Sequence, residues 1–302
     1  MLKIKKYAAI DVGSNAVRLL ISDVIERPNK DTIFRKTSLV RVPIRLGADV
    51  FVEKLISDHS KKRMVDTMEA FKLLMQAHKV EKYKACATSA IREADNGREI
   101  VKFIKKKTDV QIDIIDGEEE AAIIANTDLS TYILPEKTYL YVDVGGGSTE
   151  FSVIHRDKTV ASCSFKIGTV RLLKDLVQND TWEELEDWIK AQTKDYEKIE
   201  LIGSGGNINK IFKASGKTLG KPLTYFYLSS YYEKLQSYSY EERITELEMN
   251  QDRADVIIPA TRIYLLAMKW SGARDIYVPK IGLADGIVKS LYANIIDGNR
   301  VD

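Results

Sequence analysis

Cysteine is scarce in this 302-residue chain. The two present, Cys86 and Cys163, form no C-x-x-C pair and no disulfide framework, which fits a reducing compartment. Three histidines, His59, His78 and His155, stand without metal-ligand spacing, so no histidine-based metal centre is expected. An excess of one charge is also missing. Lys and Arg total 46 against 44 Asp and Glu, a net charge of +2, so the bulk field announces no nucleic acid and any attraction for phosphate must be local. No apolar run approaches the length of about 20 residues that a membrane span needs. The opening MLKIKKYAAI imitates a signal peptide, but Asp11, Asn15 and Arg18 interrupt it too early. A cytoplasmic location with no membrane partner is the expectation. Two nucleotide-binding patterns are incomplete. SGKT at 215–218 has Ile211 where a P-loop needs glycine, and Gly203, Gly205 and Gly206 meet Ile208 where G-x-G-x-x-G needs its last glycine. The lysine clusters at 3–6, 61–63 and 105–107 fall on separate helices or termini, so no continuous cationic track is expected. The remaining composition, 44% hydrophobic and 30% charged, is that of a globular protein long enough for two domains.

The stretch YLYVDVGGGSTEFSVIHR (139–156) stands out: an apolar run, Asp143, three glycines, Ser148 and Glu150, then a second apolar run. It reads as two strands joined by a tight glycine turn. Glycines let the backbone come close to a ligand and aim N–H groups at an anion. The carboxylate at the end of the first strand could hold a cation beside it. The pattern recurs 132 positions earlier in YAAIDVGSNAVRLLISDV (7–24), where Asp11 aligns with Asp143 and Gly13 with Gly145. Two related halves, each opening on a D-V-G hairpin, are expected to place Asp11 and Asp143 on opposite walls of one cleft.

The coarse reading gives strands at 7–12, 18–26 and 32–42, a loop at 45–51, and a helix capped by Ser57 with Met64, Met68, Phe71 and Met75 inward. A strand at 83–89 and a short helix opened by Asn96 and Gly97 follow, the latter with Val101 and Ile104 inward. VQIDIID (110–116) alternates as a strand, and Gly117 begins a helix carrying Glu118, Glu119 and Glu120. Acidic residues suit a first helical turn. Glu120 is the innermost and precedes Ala121–Ala122, so it is expected to be buried and to face the cleft. The second half repeats the order with strands at 139–144, 149–155 and 159–166 and an amphipathic helix capped by Thr181. The strand–glycine turn–helix IELIGSGGNINKIF (199–212) is a ready anion site. Residues 222–250 read as tyrosine-rich helix, 253–272 as one long apolar helix, DIYVPK as a strand and 282–296 as a closing helix.

IDVGSNAVRLL, ATSAIREADNG, DGEEEAA, VDVGGGSTEF, KIGTVRL and GSGGNINKI, in that order, resemble the exopolyphosphatase / guanosine pentaphosphate phosphohydrolase family. RADVI (253–257) and GLADGI (282–287) extend the likeness over nearly the whole chain. The resemblance implies an α/β fold of duplicated actin-like (ribonuclease H-like) domains of the actin, sugar-kinase and Hsp70 superfamily, with the active site in the interdomain cleft. The expected domains are 1–128 and 129–302, the short two-domain form. It further implies that Glu120 is the base for the attacking water. Asp143 and Glu150, with Asp11 as the matching carboxylate of the first hairpin, fall on positions linked to Mg²⁺. Ser14, Asn15, Arg92, Gly145, Gly146, Gly147 and Ser148 fall on phosphate-contacting positions, and Gly205, Gly206 and Asn207 on the second glycine turn. Asn207 departs from the Thr or Ser usual there. The implied activity is Mg²⁺-dependent removal of terminal phosphate from inorganic polyphosphate. Guanosine pentaphosphate is the alternative substrate, a superfamily kinase or ATPase a more distant reading, and a homodimer a possible assembly.

Overall fold

The computed structural model describes residues 2–125, 134 and 136–298. Residues 1–127 together with 283–302 form one compact unit, and 128–282 form a second. The boundary expected between 128 and 129 lies outside the described residues.

In the first unit β1 (Lys3–Val12), β2 (Val17–Arg27) and β3 (Lys30–Val42) make an antiparallel meander. Then come α1 (Leu46–Glu53), α2 (Asp58–Ala77), β4 (Lys82–Ala87), α3 (Ser89–Glu93), α4 (Gly97–Thr108), β5 (Asp113–Ile114) and α5 (Gly117–Ala125). The sheet order is β3-β2-β1-β4-β5, with β4 and β5 parallel to β1. Tyr7 to Val12 are all buried, as a central strand covered on both faces requires.

The second unit runs β6 (Thr138–Val144), β7 (Thr149–His155), β8 (Lys158–Phe165), α6 (Thr169–Leu173), α7 (Asn179–Thr193), β9 (Ile199–Ser204) and α8 (Gly206–Ala214). It continues through β10 (Leu223–Thr224), α9 (Tyr225–Ser237), α10 (Tyr240–Thr245), α11 (Gln251–Ala254), α12 (Ile257–Ser271) and β11 (Asp275–Tyr277). Read from β8, its sheet is β8-β7-β6-β9-β11-β10, the first order again with one antiparallel strand added. The duplication extends to register. Tyr7 faces Ser22 and Val12 faces Val17; 132 positions on, Tyr139 faces Ile154 and Val144 faces Thr149. The duplicated α/β fold expected of actin-like domains is present.

The closing helix α13 (Leu283–Gly298) corrects the expectation that the second domain runs to 302. Its apolar face (Leu283, Ile287, Val288, Tyr292) is buried on the first unit. Asp285 pairs with Lys36 at 2.8 Å, and the Tyr292 ring meets Phe34 edge-on at 5.6 Å.

Local expectations also shift. Residues 46–53 are helix, not loop: Leu46, Val50 and Phe51 are buried, and the start at Arg45 has no side-chain cap for a sequence to advertise. The strand expected over 110–116 shortens to two paired residues. Helix α4 buries Ile100 with Ile104, and Val101 is only half-buried. Helix α7 starts at 179 with Gln178 at the cap position, so Thr181 lies inside it. The long helix at 253–272 is broken between α11 and α12 at Asp255–Val256. Two lysine clusters expected to lie apart meet, because α2 packs on α4 and both Lys61 and Lys107 lie over the Phe103 ring, 4.3 and 5.8 Å from its centroid.

A β-carbon added at Gly286 would lie 2.2 Å from the carbonyl oxygen of Ile123, so α13 crosses the backbone of α5 at a point only glycine permits. Gly286→Ala should therefore cost about 1–3 kcal/mol and shift α5, the helix that carries Glu120. A thermal melt with an unchanged midpoint would show that α5 gives way without cost.

Candidate active site

The residues singled out in the sequence gather, within each unit, at the carboxyl ends of the parallel strands, where open α/β sheets bind ligands. In the first unit Gly13 N–H donates to Ala16 C=O at 3.2 Å, closing the β1–β2 turn. The start of α1 pins that turn: Gly47 N–H donates to Ser14 C=O at 2.8 Å and Arg45 N–H to Asn15 C=O at 2.9 Å. Ser14 is buried with its Oγ 3.0 Å from Ser89 Oγ, which joins the hairpin to the end of β4. Arg92, on α3, donates from Nη1 to Ile115 C=O at 2.7 Å, so this candidate phosphate ligand also holds the chain entering α5. Asp116 then caps α5, its Oδ1 accepting Glu119 N–H at 2.8 Å. Glu118 and Glu119 are exposed, whereas Glu120 is only 8% exposed.

In the second unit the Gly145–Ser148 turn is held from behind. Thr169 N–H donates to Gly145 C=O (3.0 Å), Val170 N–H to Gly146 C=O (2.9 Å), and buried Arg171 Nε to Gly147 C=O (2.7 Å). A trans peptide points its N–H opposite its C=O, so the amides of Gly146, Gly147 and Ser148 face away from α6, an array suited to an anion. Gly168 makes the approach possible, because a β-carbon there would lie 2.3 Å from Gly146 O. The second turn, at Gly205, has φ +114° and opens α8, whose amino terminus adds its own N–H groups. Asn207 is half-buried in the first turn of α8. The Arg253 guanidinium lies over Gly206, 3.2 Å from where a β-carbon would stand.

The two hairpins match in geometry and differ in charge. Asp11 faces Arg18 across the β1–β2 ladder and accepts its Nη1 at 2.7 Å. At the equivalent positions Asp143 faces Glu150, two carboxylates directly opposed. Glu150 is buried, and its Oε1 accepts Ser148 Oγ at 2.6 Å and Ser164 Oγ at 3.0 Å. Beside Asp11 on β4, burial pushes the Cys86 thiol up to about 12, against the lowering influence of Lys84; it stays protonated and is no nucleophile. Among the described residues no group of three or more His, Cys, Asp or Glu side chains could hold a metal ion. Asp143, Glu150 and Ser148 nevertheless form an oxygen-only donor set. It suits Mg²⁺, which commonly keeps one or two carboxylates and fills its shell with waters and phosphate oxygens.

Arg171, Gly168, Arg253 and Tyr264 were not among the sequence candidates, although KIGTVRL and RADVI contain the first three. Arg18 could have been found by pairing it with Glu150 through the 132-residue offset.

A mixed sheet used twice, with the same glycine hairpin at the same register in each copy, defines a duplicated actin-like α/β protein built to bind anions. The profile of the Ppx/GppA phosphatase family matches residues 29–294, and the chain belongs to that family. It is 31% identical over 216 residues to the bifunctional 3-dehydroquinate synthase/phosphatase of Fusobacterium nucleatum, covering 66% of this chain and 32% of that protein. It is 31% identical over 186 residues to exopolyphosphatase 2 of Mycobacterium tuberculosis, covering 58% of this chain and 56% of the relative. The chain thus spans about a third of the length of the first curated relative and about half of the second. The crystal structure of an exopolyphosphatase from Cytophaga hutchinsonii superposes with a TM-score of 0.81 at 22% identity, over 97% of this chain and 98% of that one, which establishes the shared fold.

Gly168→Ala should push the Gly145–Ser148 turn off α6. A displacement of about 1 Å in such a cradle costs up to about 100-fold, so calorimetric titration with pyrophosphate should show at least a tenfold weaker complex. Equal affinity in the variant would remove this turn from anion binding.

Proposed function

We propose that this protein hydrolyses the terminal phosphoanhydride bond of inorganic polyphosphate. The observation that carries the reading is the orientation of the Gly145–Ser148 turn, whose carbonyls are bound by α6 and whose amides are thereby directed at an anion. The exopolyphosphatase name of the mycobacterial relative supports polyphosphate as the substrate.

In this reading Glu120 takes a proton from the attacking water, with its burial excluding competing solvent. The amides of 146–148 and the N-terminus of α8, with Arg253 beside it, bind the charge that develops on the phosphoryl oxygens. In the first unit Ser14, Asn15 and Arg92 are the candidate contacts for further phosphates. Asp143 and Glu150, with Ser148, would hold Mg²⁺, which supplies charge neutralisation for phosphoryl transfer. Asp11 differs from them. Its guanidinium partner already compensates its charge, so the first hairpin is a weaker cation site than the second. Among the described residues no helix is long and apolar enough to cross a membrane. With both cysteines free, the cytoplasm is the compartment we assign.

Glu120→Gln keeps the shape and removes the basicity, so kcat for phosphate release should fall about 10²–10⁴-fold while substrate affinity is retained. Polyphosphate, guanosine pentaphosphate and ATP are the arms of that assay. Turnover within a few-fold of wild type would take Glu120 out of the role, and release from ATP alone would replace polyphosphate as the substrate.

Magnesium titration separates the carboxylates. Asp143→Asn should raise the Mg²⁺ concentration for half-activation by about tenfold or more, and Asp11→Asn should move it little. Equal shifts in the two variants would mean that both hairpins hold the cation.

A further inference from the structure

Tyr264 is wholly buried on α12, among Ile263, Ala267 and Met268 in the apolar core of the second unit. Packing alone would be served as well by phenylalanine. Burying a hydroxyl is unfavourable unless it is hydrogen-bonded, and here it has a specific partner. The Tyr264 Oη donates to the carbonyl oxygen of Ser204, the last residue of β9. The next residue is Gly205, with φ +114°. A β-carbon on Gly205 would lie 3.4 Å from Tyr264 Oη, 3.5 Å from Asp143 Oδ1 and 3.2 Å from Val144 O. The hydroxyl, the candidate metal-binding carboxylate and the end of β6 therefore surround one α-carbon. Helix α12 packs on β6, β9, α6 and α8, the four elements that carry or support the two glycine turns. Burial, and after it the charge of Asp143, hold the phenol well above its ordinary pKa, so it remains a neutral donor.

We propose that Tyr264 is a positioning residue, whose hydroxyl fixes the β9–α8 turn at Gly205 against the Asp143 end of β6. Glycine supplies the left-handed turn but leaves it no side chain to anchor it. The tyrosine hydroxyl anchors the turn from below without occupying the space above it. Ser204 Oγ adds a second tie, donating to Ile281 C=O at 2.9 Å.

The test uses the full chain with no ligand, comparing amide hydrogen exchange in wild type, Tyr264→Phe and Tyr231→Phe. Tyr231 is a second buried tyrosine of the same core, its ring stacked on Tyr227. Tyr264→Phe should speed exchange about tenfold in the segments around 143–148 and 203–207, the effect of losing one local tie worth a typical hydrogen bond. Tyr231→Phe should leave both segments unchanged. Replacing Tyr264 by 4-aminophenylalanine, which restores a donor on the same ring, should return exchange to the wild-type rate. Unchanged exchange in the two turns, faster exchange spread along α12, or no recovery with the amino analogue would each overturn the proposal. Steady-state kinetics add an arm that rests on the polyphosphate reading: kcat in Tyr264→Phe should fall about tenfold with KM within about twofold, the pattern of a lost transition-state interaction. Wild-type protein that released no phosphate from polyphosphate would defeat that reading and leave the exchange result standing.

Discussion

The amino end of α6 binds the carbonyl oxygens of three successive residues, Gly145, Gly146 and Gly147. Peptide planarity converts this into function. Once the carbonyls are committed to Thr169, Val170 and Arg171, the amides that follow have one direction left. The glycines permit the turn, yet the helix behind them sets its orientation. Gly168 belongs to the same device, because any side chain there would collide with the carbonyl of Gly146. The buried guanidinium of Arg171, placed on a backbone carbonyl, is structural in effect and shapes the anion site from outside it.

Duplication supplied two copies of this hairpin, and the copies have been put to different electrostatic use. The ladder registers agree residue for residue from Tyr7 to Val12 and from Tyr139 to Val144. At the position facing the aspartate, one copy has Arg18 and the other Glu150. The first pair neutralises itself. The second brings two carboxylates together, an arrangement that a cation, or the hydroxyls of Ser148 and Ser164, must moderate. A single substitution at a matched register position is enough to separate a cation-binding hairpin from a self-compensated one.

The C-terminal helix ties the end of the chain to its beginning. Tyr292 packs on Phe34, Asp285 pairs with Lys36, and Gly286 lets α13 lie against Ile123. Glu120 sits on α5 one turn before that crossing, so the carboxylate proposed as the base depends on a residue more than 150 positions away. The GLADGI motif is thereby explained by packing against α5.

Much of this protein could be read from its sequence. The two hairpins and their offset, the meander in each half, the Ser57 cap and the inward Glu120 all follow from local patterns, because strand alternation, turn chemistry and helix starts are properties of neighbouring residues. Local pattern failed where a residue's partner is remote. Helix α1 has no capping side chain, and its boundaries come from burial of Leu46, Val50 and Phe51. The last twenty residues read as part of the second half and belong to the first, since an amphipathic helix does not name the sheet it will cover. Lys61 and Lys107, far apart in the chain, meet on Phe103 only because α2 packs on α4. Tyr264 reads as one more apolar helix position, and its hydroxyl gains meaning only when α12 carries it beneath Ser204. Sequence alone determined which backbone segments turn, pair and coil, and which carboxylates stand at strand ends. Tertiary structure decided which way the turns face and which of those carboxylates is already paired, because peptide orientation and charge compensation depend on contacts between residues distant in the chain.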